Sequence, residues 1–578
     1  MKNQSEPTER QAGWTRDPWP EIMVALISGV IFVLAHFPAL TNPLIINDDV
    51  RQQIYWMQQW QDPALFPGDF LTGYARAYVS WGVKGLYRLA SWWVSPLFFS
   101  KLLPGFLFVF LALCLFKIGT RLADRRLGWT MMACFWLMPF FIDNLAGGLA
   151  RAFAAPLLAL FWLGWQTRRP WVMGGALLLQ ALFIPYIFMV AAPASLLAWL
   201  LARLGRDNPP PFPAQTAHFV LLGLGALLVL ALNFQFSADG YGPLVSAREM
   251  VNHPEFYAHG RYPILPEASL LWEFISPWEF IPPFQEWGPV AGGLIGAGLL
   301  ALLAVGCRRL DWAAWRQALK PAIYLGLSSL VIYFLARLFL LKLFVPDRYL
   351  MYTVNLFTCL FLALGLKTAL RVERWPRYLA ILVLVVAAGL GAWRLHGVGL
   401  KDYSAYRAVY ATLDSTSKDV LIAGHPNLMD TIPTFAQRRA FATYELAHPW
   451  SRSYWAQLKP RLADLFKAYY AADPEEVVAF CRQYGIAWLI VDDRHFTPAF
   501  FKGGYFLFPG DKPHLPGGDK GLAERIYAPF FAPFDEQIRH LTAGRAKFAL
   551  LSDSAFPALA IDQHVRLIDM RPYLTPKP

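Results

Sequence analysis

The chain has 578 residues, of which 56% are hydrophobic and only 16% are charged, and its mean hydropathy is +0.35. Charge is too sparse, and the apolar runs are too long and too numerous, for a soluble protein of this size. The net charge of +12 does not indicate nucleic-acid binding, because the Lys and Arg residues are spread over many short loops instead of forming one patch.

Eleven apolar runs are candidate transmembrane helices, because a span needs roughly 17–25 mostly apolar residues. They cover residues 22–40, 97–116, 129–145, 152–166, 171–184, 186–202, 216–233, 288–306, 321–339, 349–366 and 378–395. Many aromatic residues lie near the ends of these runs, as in the aromatic belts of membrane proteins. The sequence therefore predicts a polytopic α-helical membrane protein with about 11 transmembrane helices.

The basic residues of the loops predict the orientation. Lys and Arg are concentrated in alternate loops, all on the side of the N-terminal residues 1–21, and the positive-inside rule places that side in the cytoplasm. No cleavage site follows a short apolar segment, so we expect the first span to be an uncleaved anchor. An odd number of spans then places the C-terminus outside. The exterior part has no cysteine pair, which favours a bacterial inner membrane with a periplasmic tail.

The predicted membrane domain, residues 22–395, has two long exterior segments, 41–96 and 234–287. The remaining residues, 396–578, are called the tail below. They are expected to form an exterior α/β domain, because strand-like and helix-like patterns alternate in them. These patterns are a strand at Val420–Gly424, a helix at Pro474–Tyr484 with proline in its first turn, and a buried strand at Ile486–Val491.

Each exterior segment carries its own candidate features. In the first, the Trp, Tyr and Met residues of Ile54–Trp60 and the run Val79–Trp93 predict two helices that lie in the membrane interface. In the second, several acids and histidines suggest either binding of an acceptor sugar or a metal, or a solvated surface. Their spacing matches no known metal motif. These residues are Glu249, His253, Glu255, His259 and Glu267.

The adjacent carboxylates of Asp48 and Asp49 lie a few residues beyond the first apolar run. Acids at the mouth of a span are costly to desolvate and solve no packing problem, so they are candidates for function. A carboxylate there can act as a general base, as a metal ligand or as one end of a salt bridge. The alternative is a solvated loop in which the acids pair with Arg51.

Basic residues at the predicted exterior ends of other spans are candidate phosphate ligands. Arg348, in Val345-Pro346-Asp347-Arg348-Tyr349, lies where the chain enters the tenth span, at the depth of a lipid phosphate. Lys342 is close by and adds positive charge, while Asp347 is a further candidate. The alternative for these bases is snorkelling to the interface. Arg151 follows Asp143 and a glycine pair on the same exterior side, and is a second basic candidate.

The order of these features resembles that of the GT-C glycosyltransferases, in particular bacterial relatives of the protein O-mannosyltransferases and of the aminoarabinose transferase. The matching residues are Asp48-Asp49, Lys84-Gly85-Leu86-Tyr87, Ser100-Lys101-Leu102-Leu103, Asp143 and Pro346-Asp347-Arg348-Tyr349-Leu350. The resemblance covers roughly residues 20–395. The chain departs from it in having Arg51 close behind the acids and in lacking the WWD-type acceptor signature of oligosaccharyltransferases, which argues against protein N-glycosylation.

The resemblance implies an inverting transfer of sugar from a polyprenyl-phosphate-linked donor to an exterior glycan, lipid or protein. Asp48 or Asp49 would be the catalytic base, or the ligand of a divalent ion such as Mg²⁺ or Mn²⁺, and Arg348 with Lys84 would hold the lipid phosphate. An exterior enzyme has no nucleotide sugar to use, which agrees with a lipid-linked donor. The alternatives are a polymerase or ligase of lipid-linked surface polysaccharide and, from another class, a transporter of lipid-linked sugar.

Overall fold

The computed structural model describes residues 18–204, 216–257, 259–263, 312–339, 343, 345–371, 378, 395–502 and 530–574. The helices that precede the tail are α1 (Trp19–Thr41), α2 (Val50–Gln53), α3 (Phe70–Tyr78), α4 (Trp81–Ala90), α5 (Pro96–Leu122), α6 (Arg125–Trp136), α7 (Pro139–Leu145), α8 (Ala154–Gln166), α9 (Pro170–Phe183), α10 (Pro185–Arg203), α11 (Thr216–Ala238), α12 (Ala247–Met250), α13 (Trp312–Leu338) and α14 (Met351–Arg371).

The helices of the tail are α15 (Arg407–Asp414), α16 (Pro426–Met429), α17 (Ile432–Phe435), α18 (Arg452–Tyr469), α19 (Pro474–Tyr484), α20 (Pro498–Lys502), α21 (Phe534–Thr542) and α22 (Arg571–Leu574). The strands are β1 (Ile45–Ile46), β2 (Lys401–Asp402), β3 (Leu421–Gly424), β4 (Arg439–Ala440), β5 (Trp488–Asp492), β6 (Ala558–Ala560) and β7 (Val565–Asp569). Short 3-10 helices lie at Tyr55–Trp60, Ala150–Phe153, Pro254–Phe256, Pro346–Tyr349, Ser404–Tyr406, Asp493–Phe496 and Ala549–Leu551.

Five helices of the described part are long and apolar enough to cross a bilayer. They are α1, α5, α10 and most of α13 and α14, and each overlaps a predicted span. Shorter apolar helices lie at Pro170–Phe183 and His218–Leu232. The predicted span 288–306 and all but the two ends of 378–395 lie outside the described residues, so the count of 11 stays a prediction.

The predicted continuous span 129–145 is wrong, because the chain breaks between α6 and α7. Pro139 begins α7, and Met138 before it has extended backbone angles of −96° and 104°. Proline lacks an N–H for the helix ladder and disfavours a helical conformation in the residue that precedes it. α6 alone has 12 residues, or about 18 Å of helix, which is shorter than the hydrocarbon core of a bilayer.

The helices pack around α5, which contacts α1, α6 and α8. α14 lies against α6, and α13 against α10. One side of α1 is buried at Val24, Phe32 and Ala35, while Leu26 and Leu34 on its other side are 60% and 62% exposed. Large apolar side chains exposed on one side of a long apolar helix are what lipid contact requires, because lipid tails solvate them as well as protein does.

The two predicted interfacial helices have different outcomes. The run Ile54–Trp60 contains the 3-10 helix Tyr55–Trp60, but Trp56 is only 2% exposed, so the prediction that it lies in the interface is wrong. The tail covers it: Gln58 Nε2 donates to the Thr434 carbonyl at 3.2 Å. α4 does form within Val79–Trp93. Beyond its end, Trp92 and Trp93 are 67% and 77% exposed, as befits an interfacial belt.

The tail contains a five-stranded mixed sheet in the order β4-β3-β5-β7-β6. β3 is parallel to β4 and β5, while β7 is antiparallel to β5 and β6. The predicted strands occur as β3 and β5, and the predicted helix as α19. The Asp473 side chain caps α19 by accepting from the Glu475 N–H at 3.0 Å, and the helix ends at Gly485, whose φ is +68°.

The tail is joined to the first exterior segment by a two-stranded antiparallel sheet. β1 pairs with β2 so that Ile45 lies opposite Asp402 and Ile46 opposite Lys401. Beside it, the Asn42 amide donates to the Ser404 hydroxyl at 3.0 Å. The residues just after α1 and the first residues of the tail are therefore held together, although more than 350 positions separate Ile46 from Lys401 in the sequence.

Lys101, in α5, fixes the end of α1 from which the paired acids follow. Its ammonium group donates to the carbonyls of Ala39 and Asn42 at 2.7 and 2.8 Å, and the residue is 5% exposed. The last carbonyls of a helix have no partner within the helix, so a buried cation satisfies them well. The Lys101 position, which the resemblance singled out, thus has a structural role here.

We predict that Lys101→Met lowers the free energy of unfolding by about 2 kcal/mol, because buried carbonyls lose a charged donor. The measurement is the apparent Tm in detergent, with Lys467→Met, an exposed position of α18, as the matched control. A Tm equal to that of the control would contradict the assigned role.

Candidate active site

Asn47, Asp48 and Asp49 form a tight turn between β1 and α2. The Asp49 N–H donates to the side-chain oxygens of both Asn47, at 3.2 Å, and Asp48, at 3.0 Å. The Asn47 amide in turn donates to the Gly399 carbonyl at 2.7 Å. Asx side chains that bond nearby backbone groups favour such turns. The local sequence therefore folds the two acids into a fixed position at the end of the helix bundle where α1 ends and α5 begins.

Asp49 forms an ion pair with Arg151, which follows α7 in the 3-10 helix Ala150–Phe153. The side chains are about one-fifth exposed, at 21% and 22%. Arg151 also donates to Asn47 Oδ1 at 3.1 Å, and Gln52 Nε2 donates to Asp49 Oδ1 at 2.6 Å. The structure thus brings together two residues that the sequence proposed separately, and the same arginine holds both ends of the acidic turn.

Asp48 points to a different cation. Its Oδ2 lies 3.7 Å from the ammonium of Lys401, and both side chains are about one-third exposed, at 35% and 37%. Burial acts to raise the pKa of Asp48, but nearby Lys401 and Arg151 outweigh it and hold that pKa below its ordinary value. Asp48 is therefore a carboxylate at neutral pH and a weak proton acceptor.

A glycine turn shapes the site around these acids. Gly147 has φ +84°, and a Cβ there would lie 3.1 Å from Cβ and Oδ1 of Asn47. Gly399 has φ +71°, and a Cβ on it would lie 2.9 Å from Oδ1 of Asp143. Only glycine fits such close backbone approaches with a left-handed conformation. Both glycines therefore lie in turns that pack directly against the site residues.

Two further predicted residues share this site. Asp143, at the end of α7 and exposed, interacts electrostatically with Asp48, Asp49 and Arg151. Arg348, half-buried in the 3-10 helix Pro346–Tyr349, interacts with Asp49. The candidate active site therefore combines the carboxylates of Asp48, Asp49 and Asp143 with the cations Arg151, Arg348 and Lys401.

Other predicted candidates lie elsewhere. Lys84 donates to the Arg76 carbonyl at 3.0 Å, and its electrostatic neighbours are Asp239 and Arg76, not the paired acids. Burial raises the pKa of Asp347, which interacts with Arg337 and Arg348. Lys342 lies outside the described residues.

The acids of the second exterior segment join that segment to α18. Glu255 is fully buried and pairs with Lys459 at 2.6 Å, and Glu249 pairs with Arg452. The predicted solvated surface is therefore wrong for Glu255, whose buried carboxylate is compensated by a cation, while the sugar or metal role of this group of residues stays a prediction. Glu267 lies outside the described residues.

Arg51 connects the acidic turn to the tail. Its guanidinium, 3% exposed, lies 3.6 Å from Asp430 and 3.7 Å from Glu445, and packs over the Tyr403 ring at 4.7 Å. Arg261 of the second exterior segment reaches Glu445 at 3.1 Å. Two arginines and two acids from three parts of the chain thus share one buried network directly behind the site.

The residues of the site do not form a metal-binding group by themselves. In the part of the chain that the structure describes, no three His, Cys, Asp or Glu side chains are placed to hold an ion together. Asp49 is already engaged by Arg151 and Gln52. The role of Asp48 or Asp49 as the ligand of a divalent ion therefore stays a prediction.

Three site residues were not found from the sequence: Lys401, Tyr78 and Tyr262. Tyr78 ends α3, and Tyr262 lies in the second exterior segment, yet both interact electrostatically with Asp49 and Arg348. Of the three, only Lys401 could have been identified from the sequence, because it closely follows the last predicted span, on the same predicted exterior side as the paired acids.

Comparison with known proteins gives a fold likeness. No protein-family description and no curated sequence matches the chain. Among solved structures, the oligosaccharyltransferase of Archaeoglobus fulgidus, in complex with zinc and sulfate, is 12% identical with a TM-score of 0.51, over 83% of this chain and 69% of that one. Its apo form gives 0.50 at 12% identity, over 84% and 71%.

ArnT of Cupriavidus metallidurans in the apo state is 10% identical with a TM-score of 0.45, over 97% of this chain and 99% of that one. The first two matches show that the chain has a fold similar to that of the archaeal oligosaccharyltransferase, a membrane glycosyltransferase fold that the sequence resemblance predicted.

We predict that the buried network makes stability depend on pH through Asp430. Burial, with Glu445 alongside, raises the pKa of Asp430 to about 7 against the opposing effect of Arg51, while an unfolded aspartate titrates near 3.9. Between these pH values the folded state holds a proton that the unfolded state has lost. The contribution of Asp430 to the free energy of unfolding is therefore fully present below about pH 4, and it is lost as the pH rises to 7.

The measurement is the apparent Tm from pH 4.5 to 7.5 for wild type and Asp430→Asn. The variant should show a smaller fall in Tm across this range, while Asp553→Asn, an exposed position, should follow wild type. Equal slopes for wild type and Asp430→Asn would show that Asp430 does not carry the effect.

Proposed function

We propose that the protein is an integral membrane glycosyltransferase that moves a sugar from a polyprenyl-phosphate-linked donor to an exterior glycan, lipid or protein. The observation that carries the proposal is the ion pair of Asp49 with Arg151 at one end of a bundle of apolar helices, where Arg348 also interacts electrostatically with Asp49. The likeness of fold to a GT-C oligosaccharyltransferase supports the same reaction class.

The proposed chemistry is a single displacement at the anomeric carbon. A carboxylate accepts the proton of the acceptor hydroxyl while that oxygen bonds to the sugar, and the bond to the lipid phosphate breaks. The phosphate departs with the bonding electron pair, and the configuration of the anomeric carbon inverts. Such a reaction needs a base, a cation for the leaving group and an arrangement that holds both in line.

Asp49 is the proposed base. It pairs with Arg151, and it also interacts electrostatically with Arg348, the proposed ligand of the leaving group. Asp48 instead faces Lys401 of the tail at 3.7 Å, and Lys401 with Arg151 holds the pKa of Asp48 below its ordinary value against the opposing effect of burial. Its proposed role is to keep the local charge balanced and the turn in place.

Arg348 is the proposed ligand of the lipid phosphate. Within the described residues it forms no ion pair with a carboxylate, and its guanidinium donates to the Met351 sulfur at 3.5 Å. A planar guanidinium without a carboxylate partner suits a phosphate that gains charge as the bond breaks. Arg151 is committed to Asp49, and its proposed contribution is positioning the base.

The proposed location follows from this chemistry. A donor held on a lipid must approach along the bilayer, and the exposed Trp92 and Trp93 mark a surface suited to the interface. We propose that the site faces the exterior of a bacterial inner membrane, with the N-terminus cytoplasmic and the residues from 396 onward in the periplasm. In that compartment no nucleotide sugar is available, so the energy of the reaction must arrive with the lipid.

We predict that Asp49→Asn lowers the initial rate of sugar transfer about 100-fold or more, because a general base contributes roughly 10²–10⁴-fold. Asp48→Asn should have a clearly smaller effect. The assay uses membranes and a panel of radiolabelled polyprenyl-phosphate sugars, with varied acceptors. Asp62→Asn, an acid of the same exterior segment, is the control. Transfer that survives both Asp48→Asn and Asp49→Asn would place the base elsewhere.

We also predict that Arg348→Ala lowers kcat/KM for the donor by roughly 10- to 100-fold, since a hydrogen bond to a charged group is worth about 1.5–3 kcal/mol. Arg88→Ala, which removes an exposed arginine of α4, should leave kcat/KM within about twofold. If Arg348→Ala leaves kcat/KM unchanged while the protein stays folded, another group holds the phosphate.

A further inference from the structure

Two tyrosines from different exterior segments, Tyr78 and Tyr262, pack against the same pair of stacked rings. Tyr78 and Tyr262 are both half-buried. The ring of His448 lies 5.2 Å from that of Tyr78 and stacks on Trp450 at 4.0 Å, and Trp450 meets Tyr262 edge-on at 4.2 Å. His448 and Trp450 thus form a common aromatic support, with Tyr78 packed against the histidine and Tyr262 against the tryptophan.

This support is rigid. His448 Nδ1 and the Tyr74 hydroxyl hydrogen-bond at 2.9 Å, and the same hydroxyl lies 3.0 Å from the Ser451 hydroxyl. Tyr74, His448 and Ser451 are fully buried. On the other side, the Tyr262 N–H donates to the Glu255 carbonyl at 2.9 Å. The positions of both tyrosines are therefore set by buried contacts, as ligand-binding side chains require.

The phenol hydroxyls are left for a ligand. Within the described part of the chain, neither Tyr78 nor Tyr262 hydrogen-bonds through its hydroxyl, whereas Tyr74, Tyr87 and Tyr257 all do. Burial has the largest effect on the two phenols, and it raises the pKa of each. Both therefore stay protonated at neutral pH, and each can donate one hydrogen bond and accept another.

The surroundings of the two tyrosines point to one part of the substrate. Arg261, which pairs with Glu445 in the network behind the acidic turn, packs over the Tyr262 ring at 5.2 Å. The charges of Asp49 and Arg348 also act on both tyrosines. In a direct displacement the acceptor hydroxyl lies at the base and the phosphate at the cation, so the ring of the sugar in transit lies between them. A neutral, hydroxyl-rich ring also matches neutral phenols better than a phosphate does, because a phosphate is bound most strongly by cations.

We propose that Tyr78 and Tyr262 together form the binding site for the transferred sugar, a pyranose whose ring hydroxyls hydrogen-bond the two phenols. This inference rests on the proposed function, which supplies the order of base, sugar and phosphate. In this inference the sugar is recognised where Tyr78 of the first exterior segment and Tyr262 of the second come together. Arg348 recognises the lipid phosphate, which is common to all donors.

The test compares binding of short-chain polyprenyl phosphate with and without a sugar, to purified protein in detergent. The sugars are glucose, mannose, galactose and N-acetylglucosamine. At least one sugar should tighten binding to wild type several-fold over the bare lipid phosphate. Tyr78→Phe and Tyr262→Phe should each reduce this gain about fivefold, as loss of a neutral hydrogen bond does, with affinity for the bare lipid phosphate unchanged.

Tyr257→Phe is the matched control, because its hydroxyl lies in the same segment as Tyr262 but donates to the Val251 carbonyl at 2.8 Å. It should keep the full gain. The inference is overturned if no sugar tightens binding, or if the two Tyr→Phe changes weaken the bare lipid phosphate as much as the sugar-bearing one, which would make the pair a phosphate ligand.

The experiments distinguish failure of the proposed transferase function from failure of the proposed sugar site. If a sugar tightens binding and the Tyr→Phe changes remove that gain, but wild type transfers no sugar to any acceptor, the sugar site stands and the transferase reaction does not. If transfer occurs while the Tyr→Phe variants keep the full gain, the reaction stands and the sugar site is wrong.

Discussion

The structure of the site depends on the need to compensate two adjacent carboxylates at the end of a bundle of long apolar helices. Water solvates such charges poorly in a half-buried position, so protein cations must replace it. Arg151 pairs with Asp49, and Lys401 lies beside Asp48. One cation comes from the region after α7 and the other from the start of the tail. The acids therefore fix how distant parts of the chain come together.

The same constraint explains why the tail closely covers the membrane region. Arg51, one turn beyond the acids, is buried between Asp430 and Glu445 of the tail. Arg261 brings the second exterior segment to the same acids. Each arginine would be costly to bury alone, but in the network each charge has a partner. A residue that the sequence marked as a departure from related enzymes is thus the connection between the site and the tail.

Much of the fold could be predicted where local chemistry decides it. The long apolar helices α1 and α5 were predicted because composition alone favours a helix in lipid. α19 was predicted from the proline at its start, and it ends at a left-handed glycine. Prediction failed where tertiary contacts decide the outcome. The run Tyr55–Trp60 has the composition of an interfacial helix, yet the tail buries it, and no local pattern contains that information.

For the site, the sequence by itself determined which acids are unusual, because Asp48 and Asp49 follow an apolar run that can only be a buried or lipid-facing helix. It also singled out Arg151 and Arg348, since both stand at exterior ends of apolar helices. Only the tertiary structure decided that these residues meet, that Lys84 does not join them, and that Lys401 does. The physical reason is that Coulomb interaction depends on distance in space, and the distances here are set by helix packing and the β1–β2 pairing.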